Sequence, residues 1–264
     1  MMKKIISVLT ICFILVLIDT GCRGKKIEIS PEDASSDETL FKLGETYINK
    51  DPEKGRLYMR QVIDSFPKSY YAQRAKLAIA DSYFKKGDEG SMIIAASEYR
   101  EFISLYPYSP SSAYAQYQIA MTFFKKALKP GRDQTKTMQA LIEFKKVPTN
   151  YPLSEEANSA KEKIKECEER LAEHTTGIGE FYYKVNAFKA SINRLIKIPT
   201  DYPDYSKMDK VYFLLANSYY KWGKIDQSIA YFTKLISDFP ESKYARKATE
   251  TMKEIEKSQN KKNK

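Results

Sequence analysis

Three cysteines and one histidine are the side chains of this 264-residue chain with the sharpest chemistry: Cys12, Cys22, Cys167 and His174. A thiol can attack, ligate metal, pair with another thiol or take an acyl group, and which of these it does depends on its surroundings. A single histidine argues against histidine-based metal or triad chemistry. Cys167 lies in KIKECEERL, a polar helical stretch with no histidine at a useful spacing, so an inert, partly buried thiol is expected there. Paired carboxylates such as Glu168 and Glu169 belong to the same polar surface. The chain carries no phosphate-binding glycine loop, no Gly-x-Ser-x-Gly and no His-Glu-x-x-His. Catalysis, a cofactor and a metal site are therefore not expected.

Cys22 is different because of what precedes it. Met1–Lys4 are basic, and Ile5–Ile18 form an apolar run of 14 residues. A bilayer-spanning helix needs about 20, whereas a secretory signal uses a shorter run with these flanks. Thr20-Gly21 then precede Cys22. The arrangement resembles a bacterial lipoprotein signal, although Asp19 stands where that pattern prefers leucine. The resemblance implies that residues 1–21 are removed and that Cys22 opens the mature chain and carries acyl groups. Each buried acyl CH₂ contributes about 0.8 kcal/mol, and firm anchoring takes more than one chain. Arg23 follows the cysteine, where aspartate would imply inner-membrane retention. The expected location is the periplasmic face of the outer membrane, lipid-anchored.

The rest of the chain must position whatever partner-binding residues exist. Residues 22–36 are polar and lack a helical period, as in a tether. An aromatic-proline pair then recurs five times: Phe66-Pro67, Tyr106-Pro107, Tyr151-Pro152, Tyr202-Pro203 and Phe239-Pro240, at spacings of 40, 45, 51 and 37 residues. Serine stands two places after the proline at Ser69, Ser109, Ser154 and Ser242. A period of this length indicates stacked repeats. In the fifth unit Tyr212, Leu215, Ala216 and Tyr219 form one helical stripe. Gly223 interrupts it, and Ser228, Phe232 and Leu235 form a second. Small residues where two helices cross, large ones beside them and a terminal proline match the tetratricopeptide (TPR) pattern. The expected fold is all-α, a right-handed TPR solenoid of five helix-turn-helix repeats with one additional helix at about 155–172. Residues 37–154 hold units one to three, 155–252 the extra helix and units four and five, and 253–264 a basic tail. No segment alternates with a strand's period of two.

Three features together resemble the BamD family, the lipoproteins of the outer-membrane β-barrel assembly machine. They are the lipoprotein cysteine followed by five TPR units, the segment GRDQTKTMQALIEF (131–144), and EFYYKVNAFKASINRLIKIPTDYPDY (180–205). The resemblance implies a scaffold that binds the periplasmic POTRA region of BamA through its C-terminal repeats and receives unfolded outer-membrane barrel proteins through its N-terminal ones, in company with other Bam lipoproteins. Within the repeat frame, Phe41, Leu77, Phe84, Tyr114, Tyr117, Met121 and Phe124 should line a peptide groove, with Arg74 placed to bind a client carboxylate bidentately. Arg132 and Asp133, in the long insertion after unit three's first helix, and Arg194 are candidates for the partner-protein interface. Arg194 equally fits a structural role between repeats.

The net charge of +10 suits anionic partners. Nucleic acid is not expected, since no recognition motif is present and the export signal argues against it. The alternative reading is a periplasmic TPR adaptor of cell division or peptidoglycan maintenance, like the CpoB family. Those usually carry an N-terminal coiled coil, and no sustained heptads follow residue 25 here.

Overall fold

A computed structural model describes Ser30 and residues 36–262, with the side chains of 259–262 left aside. The signal segment, Cys22 and nearly all of the tether lie outside the described residues. The described chain is helical throughout, without a strand. It divides into two compact units, residues 1–78 and 79–264. Unit 1 contains α1 (Asp37–Ile48), α2 (Pro52–Ser65) and the opening turns of α3 (Tyr70–Lys86). Unit 2 contains the remainder of α3, then α4 (Glu89–Leu105), α5 (Ser112–Phe124), α6 (Thr135–Asn150), α7 (Glu155–Lys184), α8 (Phe188–Leu195), the single turn α9 (Ile198–Asp201), α10 (Met208–Lys221), α11 (Ile225–Asp238) and α12 (Lys243–Lys262).

Helix starts follow ordinary capping chemistry. Ser36, Asp51, Asp88 and Ser154 each accept a backbone N–H three residues on, which satisfies a donor with no intrahelical partner. The five aromatic-proline pairs terminate second helices in one common way. Phe66, Tyr106, Tyr151, Tyr202 and Phe239 all sit near φ −130 to −138°, ψ 56 to 65°. A residue before proline is driven out of the helical region in this manner. Each aromatic N–H still closes the last helical turn, and each aromatic carbonyl accepts the N–H three residues on: Ser69, Ser109, Ser154, Tyr205 and Ser242. The serine thus belongs to a turn that launches the next helix. Ser69 Oγ also donates to Asp37 Oδ2, and Ser242 Oγ to Asp209 Oδ2, both at 2.5 Å. Each bond ties the start of one first helix to the start of the next.

The paired helices cross at small residues, as expected. A Cβ on Gly44 would lie 2.7 Å from Met59 Cε, and one on Gly179 would lie 2.4 Å from Leu195 Cδ2. Ala216 and Ser228 are buried at the equivalent crossing in the fifth pair. In unit 2 α4 packs on α5, α5 on α6, α6 on α7, α7 on α8, α10 on α11 and α11 on α12; first helices also pack on each other, α5 on α7 and α7 on α10, and α8 packs on α10. That is a TPR solenoid. Among the described residues of unit 2, one core gathers around Phe144, Val147 and Cys167 and another around Leu195, Leu215 and Phe232.

Two boundaries differ from the sequence expectation. The additional helix is not separate: it runs unbroken for 30 residues into the first helix of the fourth repeat. Thr175, Thr176, Gly177 and Gly179 are poor helix formers, but Thr176 and Gly179 are buried by packing, and Thr175 Oγ1 bonds the Leu171 carbonyl at 2.9 Å. Tertiary contact outweighs local preference there. The segment set apart as a tail is the end of α12 as far as Lys262, where Ile255 is buried.

Candidate functional site

In unit 1 the expected groove residues form an arginine-capped aromatic cluster. The Arg74 guanidinium lies 4.4 Å from the centre of the Phe41 ring, which in turn packs on Tyr71 at 5.3 Å. Arg74 Nη2 also reaches Glu45 Oε1 at 3.3 Å. Phe41 differs from expectation: it is buried beneath Arg74 and Tyr71 and presents no free wall. The physical reason is that its ring faces α3, where Tyr71 and Arg74 cover it. Leu77 is half-buried, while Arg74 is exposed.

In unit 2 the first helix α5 meets the first helix α7, and the aromatic residues of α5 lie along that seam. Tyr117 and Phe124 pack on the fully buried Phe144 ring at 5.4 and 5.8 Å, with Met121 against the same cluster. All three retain partial exposure. Lys163 Nζ sits 4.5 Å above the Phe124 ring and the Arg170 guanidinium 5.3 Å from it. Both cations share Glu166, at 2.8 and 3.2 Å. The seam therefore combines apolar rings with positive groups that pair with Glu166. Lys163, Glu166 and Arg170 were missed in the sequence, although their spacing of three and seven places them on one face of α7.

Tyr114 and Phe84 are partly committed to internal contacts. Tyr114 and Tyr99 both donate to Asp81 Oδ1, at 2.8 and 2.5 Å. Burial raises the Asp81 pKa above its ordinary value, although the two hydroxyl donors oppose it. Burial, together with the Asp81 charge, pushes Tyr114 up to about 12. Phe84 is half-buried, with Lys125 Nζ 4.2 Å above its ring.

The candidates on the long insertion occupy a well-held loop. Buried Gln134 donates to the carbonyls of Lys129 and Arg132 at 2.9 and 3.0 Å and accepts from Thr137 Oγ1. His174 Nδ1 lies 2.6 Å from the Pro130 carbonyl, an acceptor, so this nitrogen carries the proton. Asp133 accepts from the N–H and hydroxyl of Thr135. Arg132 and Asp133 stay exposed on this frame, and Arg194 is exposed in the last turn of α8. Arg132 and Arg194 have no carboxylate within 4 Å among the described residues. Cys167 is fully buried, and burial pushes its thiol up to about 12. Among the described residues no cluster of three or more His, Cys, Asp or Glu is placed to hold a metal ion, and no helix is long and apolar enough to cross a membrane.

A family model described as YfiO, outer membrane lipoprotein, matches residues 33–228. The chain belongs to the YfiO family. The match runs from just before α1 into α11, so both units of this YfiO-family chain contribute. Its relatives include the outer membrane protein assembly factor BamD of Caulobacter vibrioides, 29% identical over 217 residues, covering 81% of this chain and 70% of the relative. The BamD of Rickettsia prowazekii is 25% identical over 246 residues, covering 91% and 94%. Among solved structures, the TPR2AB domain of yeast Sti1 aligns at 13% identity over 83% of this chain and 84% of its own, with a TM-score of 0.41.

Proposed function

We propose that this chain is a lipid-anchored TPR scaffold of the β-barrel assembly machine. It holds the POTRA region of BamA and receives unfolded outer-membrane barrel proteins, without chemistry of its own. The membership of the YfiO family and the relatives named as assembly factors support the coarse role. The observation that carries the client-binding half is the α5–α7 seam, where Tyr117, Met121 and Phe124 lie partly open beside Lys163 and Arg170. An aromatic client strand can stack on such rings, and its carboxylates can draw on the two cations. Arg74 is a separate client contact in unit 1. Its bond to Glu45 is an exposed pair, contributing about 0–1 kcal/mol, so a client carboxylate displaces Glu45 at little cost.

Arg132, Asp133 and Arg194 are assigned to the partner interface, together with other Bam lipoproteins in the same assembly. Cys22, if acylated, holds the chain at the periplasmic face of the outer membrane. The test of the client half is binding of a peptide ending in an aromatic barrel-type C-terminal strand. Tyr117→Ala and Arg74→Ala combined should weaken it by about tenfold or more, since buried aromatic and arginine anchors dominate such contacts. Unchanged binding removes both residues from the role. For the partner half, Arg132→Glu should reduce co-purification with BamA.

A further inference from the structure

Adjacent phenylalanines at the end of α5 both pack on the core around Ala120 and Phe144, but they have different further neighbours. Phe124 belongs to the α5–α7 seam described above. Phe123 also lines a socket of about 110 Å³ in unit 2 between α4 and α6. Buried Met92, Ala96 and Thr122 form its floor, and exposed Ile93 forms one wall. Thr122 Oγ1 is occupied by the Ile119 carbonyl at 2.6 Å, so the hydroxyl asks for no partner in the socket. Three cations stand at the rim: Arg100, Lys126 and Lys136. The Arg100 guanidinium and Lys136 Nζ lie 5.9 and 5.5 Å from the Phe123 ring. Lys126 and Lys136 have no carboxylate within 4 Å among the described residues. Arg100 shares Glu143 with Lys146, at 3.4 and 2.9 Å. Glu89 is the one carboxylate on the rim.

We propose that this socket docks an acidic, extended polypeptide segment through a single large apolar side chain. Size and charge both select that occupant. An apolar cavity of roughly 150 Å³ holds one benzene molecule, so the socket suits one phenyl or isobutyl group and is far too small for an acyl chain. A cationic rim around an apolar anchor pocket favours carboxylates on either side of the anchor and repels basic sequences. The site lies between the second helices α4 and α6, with the end of α5 in its lining, and uses none of the client-contact residues assigned above. It gives the scaffold a second, charge-selective attachment point.

The probe is a fluorescein-labelled peptide, Glu-Asp-Phe-Asp-Glu, titrated with the full mature chain and read by polarisation. Binding is expected to weaken by about tenfold or more when the probe's phenylalanine is replaced by alanine, and similarly with the exposed-wall variant Ile93→Glu or the double variant Lys126→Glu/Lys136→Glu. It should also fall with added salt. Circular dichroism melting establishes that each variant is folded, and Ile93→Glu, at an exposed position, keeps the test open should the lysine pair destabilise the chain. The proposal is overturned if the phenylalanine and alanine probes bind alike, if folded Ile93→Glu binds like wild type, or if no binding is seen. It is equally overturned if the chain self-associates through Ile93, or if phosphatidylglycerol vesicles displace the probe.

Discussion

Leu195 occupies the space that any side chain at Gly179 would need. A Cβ there would stand 2.4 Å from Leu195 Cδ2 and 2.5 Å from Cγ. Ser191, one turn earlier on α8, donates to the Gly179 carbonyl at 2.9 Å, so the two helices are fixed at this separation. Gly179→Ala should destabilise unit 2 by about 1–3 kcal/mol through overpacking, read as a lower urea midpoint by circular dichroism. Leu195→Ala alone should cost about 2–5 kcal/mol. The double variant should cost less than the sum, because the alanine methyl then enters vacated space. Full additivity would show that the contact is not the source of the loss.

Asp81 is the buried acceptor shared by Tyr99 and Tyr114. Burial holds its pKa above 3.8, so the folded chain keeps this proton longer than the unfolded chain does. The linked stability is present at low pH and is lost as pH rises through the folded pKa. Asp81→Asn keeps an acceptor without a charge to bury. Its stability relative to wild type should therefore improve as pH is raised from the acid range to 7, measured by denaturant titration at each pH. Asp81→Ala instead leaves two hydroxyls without this acceptor and should cost about 1–3 kcal/mol.

Asp88 shows the opposite sign. Hydrogen bonds from the Ser91 hydroxyl and N–H hold its pKa at about 2. Its contribution is present above the ordinary carboxylate range and disappears as pH falls towards 2. Asp88→Ala should lower the melting temperature at neutral pH and approach wild type at pH 2. A difference that stays constant with pH would contradict the capping account.

The helix pairs were legible because their signals are local. Proline forces the preceding aromatic residue out of the helix, and glycine or alanine marks each crossing. The additional helix expected at about 155–172 continues through Gly177 and Gly179, and the packing of Leu195 on Gly179 lies on a later helix that the local sequence does not show. The aromatic stripe on α5 was visible in its periodicity. What each ring does was not: Tyr114 serves Asp81 and Phe123 lines a socket between α4 and α6, while on α1 Phe41 is covered by Arg74. Those roles depend on helices distant in sequence, as do the cations Lys163 and Arg170 over Phe124.

The scaffold assignment is tested most directly by purifying the tagged full chain from detergent-solubilised outer membranes and identifying what co-elutes. BamA, with its POTRA region, should be recovered in comparable amount, and Arg132→Glu or Arg194→Glu should reduce it while the variant chain remains folded. Recovery of cell-division or peptidoglycan factors in place of BamA would contradict the account.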